Sequence, residues 1–373
     1  MTSSETPAPG PAPVQGPALH LDISRPYDYP ESVKGPALLS TMNELTRWHH
    51  ARGARYAAMV DRLFPAGDAA TLDRVPYLPV RLFKTAELRS VPEQDVIKTL
   101  TSSGTTGQAV SRIYLDRETS IRQTRVLSAI MASFLGKKRW PMVIVDSGGL
   151  LNDRKRFNAR AAGILGFSTY GRDHFHCLDD ALSLDVAGLQ AWLERHADTP
   201  VLLFGFTFVV WQGLYQSALR QGVRLHFPKG SLLIHGGGWK RLLDQQVDNE
   251  EFKARLNEQF GIDHVHNYYG MVEQVGSIFM ECEHGHLHSP AYADVIIRDP
   301  YTLEPVPDGT PGVIQVLSAI PLSYPGHSLL TEDVGTRHGR DGCPCGRHGS
   351  HFSVRGRLPQ VEMRGCSDTR VMA

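Results

Sequence analysis

The sequence predicts an α/β fold with mixed sheets and a β-rich C-terminal part, and three observations carry that prediction. Short apolar runs at 141–145, 201–204 and 232–234 each end in glycine or polar residues and alternate with helix-patterned stretches. Such alternation is the signature of strands joined by crossover helices. After Tyr269-Gly270 the pattern changes to strand-like runs at 293–298, at 312–317 and around Leu329, separated by Pro, Gly and Asp turns. The third observation is the run Thr101-Ser102-Ser103-Gly104-Thr105-Thr106-Gly107. Its hydroxyls and backbone N–H groups suit a phosphate, and its glycines permit close backbone approach; the plainer alternative is a Gly/Thr-rich linker.

Composition narrows the function classes. The 373 residues carry 39 basic and 39 acidic side chains, a formal charge of zero that favours neither nucleic acid nor an anionic membrane as partner. The length suffices for one large core with a smaller lobe. No apolar stretch approaches the roughly 20 residues that span a bilayer. The N-terminus shows no basic segment followed by an apolar one, so a cytoplasmic protein without a secretory leader is expected. The five cysteines are Cys177, Cys282, Cys343, Cys345 and Cys366. Their odd number, with two of them one residue apart, fits reduced thiol or metal chemistry better than a disulfide framework.

In chain order, residues 1–20 are rich in Pro, Ala and Gly and read as a disordered lead-in. Leu38, Met42, Leu45, Trp48, Tyr56, Met59, Val60 and Leu63 recur at three- and four-residue steps, which predicts a helix over 38–63. His49 and His50 lie on it, with no ligand spacing. Pro65, Pro76 and Pro79 break the pattern, and 78–84 enters the central domain in extended form. The glycine-rich run lies between strand-like 99–100 and 110–115, so it forms a hairpin arch. No Lys follows its last glycine, so it is not the strand-to-helix P-loop.

A helix follows over 116–135. Helices at 152–165 and 184–196 separate the first two buried strands. A helix at 209–220 leads to a strand at 223–227, then 232–234 and the Gly236-Gly237-Gly238-Trp239-Lys240 loop. Ligands of open α/β sheets bind at such glycine-bearing strand ends. A charged helix at 250–259 precedes strand-like 264–268.

Several residues could carry chemistry. Glu273, just past an aromatic-glycine turn, could place Mg²⁺ on phosphates or stand as a surface carboxylate. Asp333 could accept from ribose hydroxyls or cap a turn, and Arg357 could face phosphate or ribose or be solvated. The sharper pattern is Cys282, His284, His286 and His288, with Cys343-Pro344-Cys345 some 60 residues on. Thiolates with imidazoles suit tetrahedral Zn²⁺. The preferred set is Cys282, His288, Cys343 and Cys345, with His284 the substitute; buried thiols and surface histidines are the plainer alternative. Cys366 stands beside Arg364, whose charge favours the thiolate, so it could be a nucleophile or an incidental thiol.

Taken in order, Ser102–Gly107, Tyr268-Tyr269-Gly270-Met271-Val272-Glu273, Asp333 and Gly356-Arg357 resemble the motifs of the adenylate-forming ligases. Leu82-Phe83-Lys84, Gly236–Lys240 and the Cys282 to Cys345 elements resemble the acyl-protein synthetases of bacterial bioluminescence, with phenylacetate–CoA ligases more distant. The similarity runs from about residue 38 to the end. It implies the large N-terminal domain of that fold without a full C-terminal lobe: a core over 21–357, with a zinc-stabilised part at 275–357, and a short tail over 358–373.

The activity it implies is ATP-dependent conversion of a carboxylic acid to an acyl-adenylate. Ser102, Ser103, Gly104, Thr105, Thr106 and Gly107 would hold phosphate, Glu273 Mg²⁺, Asp333 ribose, and Tyr269 the adenylate pocket, with Arg357 at the hinge-proximal Gly-Arg. Phe204, Phe206, Phe208 and Trp211 could receive the acyl portion or be ordinary core. The usual lysine of the C-terminal lobe has no counterpart here, so Lys84 or Lys240 would approach the α-phosphate. Cys366 matches the family's acyl-accepting cysteine, and would pass a thioester to a protein partner such as a reductase or carrier protein. The alternatives are direct transfer to CoA or a small nucleophile, an inactive zinc-stabilised partner subunit, and an adenylyltransferase.

Overall fold

The computed structural model describes residues 16–102, 110–152, 159–239 and 245–358. Its first long elements are two helices, α1 (Glu31–Arg52) and α2 (Ala54–Leu63), where the apolar spacing predicts one. Gly53 separates them in an extended conformation (φ −120°, ψ 93°). A Cβ there would lie 3.2 Å from both Arg89 O and His49 O, so glycine lets the segment before Ser90 press against the kink. His49 is fully buried, with Nδ1 2.7 Å from Ser90 Oγ, whereas His50 is exposed and pairs with Asp61.

Next come the short β1 (Leu78–Pro79) and the antiparallel hairpin of β2 (Lys98–Thr101) and β3 (Arg112–Leu115). The expected hairpin placement of the glycine-rich run is therefore found in its two flanks. Helix α3 (Arg117–Leu135) starts at Asp116, whose carboxylate accepts the Thr119 N–H at 2.8 Å, a side-chain N-cap.

The parallel half of the main sheet follows: β4 (Trp140–Ser147), β5 (Gly171–Leu178), β6 (Leu202–Phe206), β7 (Leu232–Gly236) and β8 (His264–Gly270), in the order β5-β4-β6-β7-β8. The connections carry α4 (Ala159–Ser168), α5 (Val186–Arg195), a helical stretch with a π-helical turn at Val210–Gln216, and α6 (Asn249–Phe260). Side chains alternate between faces along a strand. Met142, Ile144, Leu202, Phe204 and Ile234 thus enter one core, and Val143, Val145, Leu203, Leu233 and Val265 the other.

The stretch 223–227 is not a strand. Its Phe227 N–H donates to Phe260 O at 3.0 Å, so it is tied to α6 and forms no ladder. Strand β5, in contrast, was not expected.

Beyond β8 the same sheet continues antiparallel through β9 (Ile278–Glu281), β10 (Leu287–His288), β11 (Ala293–Arg298), β12 (Pro311–Ser318), β13 (Ser328–Arg340) and β14 (Ser350–Arg357). The spatial order is β8-β9-β10-β14-β13-β12-β11, and β1 adds parallel to β13. The β-rich part is therefore one edge of a continuous 12-stranded sheet. Among the described residues, β9 and β14 are joined through β10 alone, by Leu287 and His288. No described helix is long and apolar enough to cross a membrane.

Candidate functional site

Strand β8 ends in Tyr268-Tyr269-Gly270 beside the antiparallel half. The Tyr269 hydroxyl donates to Asp333 Oδ2 at 2.7 Å, and Arg357 Nε lies 3.3 Å from Asp333 Oδ1. Asp333 and Arg357 face one another across β13 and β14, so three strands converge on one carboxylate. Burial, and then the Asp333 charge, push the Tyr269 phenol well above its usual pKa and keep it a donor. Asp333 is only partly buried and Arg357 is exposed, which leaves the pair open to a polar ligand.

Glu273 lies in the 3₁₀ turn Val272–Gln274 and is 7% exposed. The turn is fixed by Gln274, whose amide donates to Gly326 O at 2.9 Å and Val316 O at 3.2 Å. The Glu273 carboxylate has no ion pair among the described residues. Ser102 closes the hairpin below the glycine-rich run: its N–H donates to Ser111 O at 3.2 Å, and its Oγ accepts from Ser111 N–H at 2.9 Å. Lys84 is exposed on the short helix Leu82–Thr85 and has no ion pair among the described residues. Ser103, Gly104, Thr105, Thr106, Gly107, Lys240 and Cys366 lie outside the described residues.

The polar strand ends expected from the sequence hold groups to which it assigns no role. Asp146, at the end of β4, is buried and lies 3.0 Å from Arg160. Burial raises its pKa while Arg160 opposes the shift. Thr207 Oγ1 donates to Gly237 O at 2.8 Å and lies 3.0 Å from His235 Nδ1. The available signal was an acid or hydroxyl where an apolar strand ends.

At the end of β7, Gly236 pairs with Tyr268 of β8, whose ring occupies the space a Cβ would need. The aromatic residues considered for an acyl wall divide between two cores. Phe204 stacks on Phe167 at 4.2 Å in one, while Trp211 packs on Trp239 and Phe252 in the other. The strand ends at Phe206 and the chain turns helical at Thr207, so two-residue alternation stops there.

Cys282, His288, Cys343 and Cys345 form a second centre, with their ligand atoms all within 4.8 Å of one another. The Cys282 and Cys343 sulfurs are 3.8 Å apart, and Cys345 Sγ is 3.3 Å from His288 Nε2. A tetrahedral ion with metal–sulfur bonds of about 2.3 Å and metal–nitrogen bonds of about 2.1 Å needs edges of about 3.8 and 3.6 Å. The donor set therefore fits zinc in chemistry and in size. Two backbone N–H groups aim at sulfur, His284 at Cys282 (3.4 Å) and Arg347 at Cys345 (3.5 Å). His284 itself is exposed, while His286 Nδ1 lies 3.5 Å from Cys343 Sγ. Burial pushes the Cys343 thiol up to about 12, raises that of Cys282 and takes His288 down to about 3. A divalent ion would draw the protons off the thiols.

Comparison with known proteins adds the lineage. A family model described as "Acyl-protein synthetase, LuxE" matches residues 23–372. A long-chain-fatty-acid–luciferin-component ligase of Aliivibrio fischeri is 24% identical over 304 residues, 79% of this chain and 77% of that protein. The protein of the same description in Vibrio harveyi is 24% identical over 331 residues, 86% of this chain and 84% of that one. Among solved structures, 2-hydroxyisobutyryl-CoA ligase in complex with 2-HIB-AMP and CoA superposes with a TM-score of 0.68 at 18% identity, covering 90% of this chain and 70% of that chain. Its open conformation gives 0.67 at 16% identity. At these identities the structures establish a shared fold.

Proposed function

The chain belongs to the acyl-protein synthetase (LuxE) family of ATP-dependent acyl-adenylate-forming ligases, and on that premise we propose a two-step acyl transfer. In the first step a substrate carboxylate oxygen attacks the α-phosphorus of ATP, and the bond to the β-phosphate oxygen breaks, giving acyl-adenylate and pyrophosphate. Asp333 accepts from the ribose hydroxyls, with Tyr269 and Arg357 holding its carboxylate in place. Ser102 to Gly107 would cradle the phosphates, Glu273 would hold Mg²⁺, whose charge would offset theirs, and Lys84 or Lys240 would supply the cation at the α-phosphate. These groups act by positioning and by neutralising charge.

In the second step the Cys366 thiolate attacks the acyl carbonyl, AMP leaves, and the thioester passes to a protein acceptor such as a reductase or carrier protein. Zn²⁺ on Cys282, His288, Cys343 and Cys345 is structural in this reading, since four protein ligands leave no open position. The observation that carries the nucleotide site is the convergence of Tyr269, Asp333 and Arg357 from three strands.

The test is intact mass and pyrophosphate release for wild type and Cys366→Ala, with ATP, Mg²⁺ and a panel of carboxylic acids including long-chain fatty acids. An acyl adduct lost in the variant, with pyrophosphate release kept, is the expected result. Pyrophosphate release without an adduct in either protein would sink the cysteine relay in favour of direct transfer.

A further inference from the structure

Resting on the zinc reading above, we propose that the metal at Cys282, His288, Cys343 and Cys345 is a positioning element of the nucleotide site. The argument starts from the narrowest line of the sheet. Between β9 and β14 the ladder is two residues wide, Leu287 and His288 of β10. Past β10 the two strands are bridged by aromatic packing, with the Phe279 and Phe352 rings 5.3 Å apart and Tyr269 about equally far from both, at 6.1 and 6.2 Å. Ring packing of this kind lacks the directional constraint of a hydrogen-bonded ladder.

The nucleotide residues straddle that seam. Tyr269 is on β8, on the side of the parallel strands, whereas Asp333 and Arg357 are on β13 and β14. The 2.7 Å Tyr269–Asp333 bond therefore crosses from one half of the sheet to the other.

The metal ligands straddle it too. Cys282 directly follows β9 and His288 ends β10, while Cys343 and Cys345 lie in the turn joining β13 to β14. Strand β14 then runs eight residues, about 26 Å at about 3.3 Å each, from that turn to Arg357. The β13–β14 register carries irregularities at Val334/Gly335 and Arg337/Gly339, so the ladder alone does not hold it uniformly.

The turn has further anchors. Asp341 accepts from the Glu31 N–H at 2.7 Å and the Gly349 N–H at 2.8 Å, and His348 N–H donates to Tyr27 O at 3.0 Å. These tie the turn to the start of α1. Towards β9 and β10 the turn is held by the Arg347–Glu283 ion pair at 2.8 Å and by the Ser289 N–H donating to Ser350 O at 2.9 Å, and the metal would add bonds to Cys282 and His288. Loss of the ion leaves the two rungs of β10, the Arg347–Glu283 pair and the hydrogen bonds of Gln274 and Ser277 to Val316, Gly326 and Ser318 to set the Tyr269–Asp333 spacing, and the ribose contact loosens. By linkage, ATP bound across the seam must in turn hold the metal more tightly.

The experiment uses the full-length, zinc-loaded protein. Zinc content comes from atomic emission, and substitution by Co²⁺ reports thiolate ligation through its charge-transfer absorption. ATP affinity is then measured by calorimetry before and after metal removal, and zinc transfer to a chromophoric chelator is timed with and without ATP. We expect one zinc per chain, ATP affinity at least tenfold weaker without it, and zinc transfer several-fold slower with ATP.

In Tyr269→Phe, zinc should stay bound while ATP loses its protective effect. Because Cys345→Ser could fail to fold, the release kinetics of the wild-type protein carry the test by themselves. Zinc bound, but lost at one rate with and without ATP, overturns the coupling and leaves a purely structural ion. Absence of zinc overturns the metal reading together with the coupling. Zinc-loaded protein that binds no ATP overturns the proposed function as well.

Discussion

In the parallel half, β4 is buried from Pro141 to Ser147 and its side chains are mostly apolar; in the antiparallel half, buried positions are often polar. Arg298 donates to Gln315 Oε1 at 2.6 Å, and Gln315 donates in turn to Ser328 Oγ at 2.9 Å. Lys34 and Asp294 are both buried nearby, with Lys34 Nζ 3.2 Å from Ser289 O. The contrast separates two ways of holding one sheet together. Apolar packing is graded in its response to change, whereas a buried polar network depends on every member having its partner. The residues assigned to chemistry stand mainly on the second kind of ground.

The contrast can be tested by substitutions of decreasing effect. Phe204→Ala, in the stack with Phe167, should cost about 4 kcal/mol in chemical denaturation through lost burial and a residual cavity. Asp294→Ala should cost about 3 kcal/mol, because it takes from the buried Lys34 ammonium the strongest of its counter-charges and leaves it Glu31 and Asp341. Here the halves should diverge. Combining Asp294→Leu with Lys34→Met should recover most of that loss, and a double variant no more stable than Asp294→Ala would break the comparison.

Acid should affect both halves alike. His235 lies in the parallel half and His327 opens onto β13; burial depresses both to about 3. A histidine whose folded pKa lies below its unfolded value of about 6.5 contributes fully above that pH and loses its contribution as pH falls towards 3. Each should therefore cost up to about 2 kcal/mol between pH 6.5 and 5, read as a shift of the urea midpoint. His235→Gln and His327→Gln should each flatten the slope by one histidine's share. The smallest effect is Asp116→Ala at the start of α3, about 1 kcal/mol for a lost N-cap, measured the same way.

The same contrast explains what could be read before the fold was known. Strands β4, β6 and β7 announce themselves because burial on both faces demands continuous apolar runs. Strand β5 does not, since Arg172, Asp173 and His174 are exposed on an edge that needs no apolar side chain. The stretch 223–227 misled in the opposite sense: it alternates like a strand, yet its backbone partner is the end of α6.

For the sites, thiols and imidazoles at short spacing mark themselves by chemistry, and the structure brings the preferred four together. The Tyr269–Asp333 contact was not legible, because 64 residues separate the partners and only sheet order juxtaposes them. Asp146 with Arg160 joins the end of β4 to α4, and Thr207 with His235 joins the end of β6 to β7; the strand-end acid or hydroxyl is visible in the sequence, and its partner is not.

The ring of Tyr268 pressed against Gly236 imposes an order on change at the glycine loop. No side chain fits at 236 while the ring is in place, so Gly236→Ala is harmful in the wild-type background. Once residue 268 is trimmed to a smaller side chain, the three atoms nearest that alanine's Cβ are gone. Variants that enlarge position 236 are therefore reachable along one mutational path and closed along the other, and a library that randomises 236 alone would score the site as immutable when it is only waiting for its neighbour.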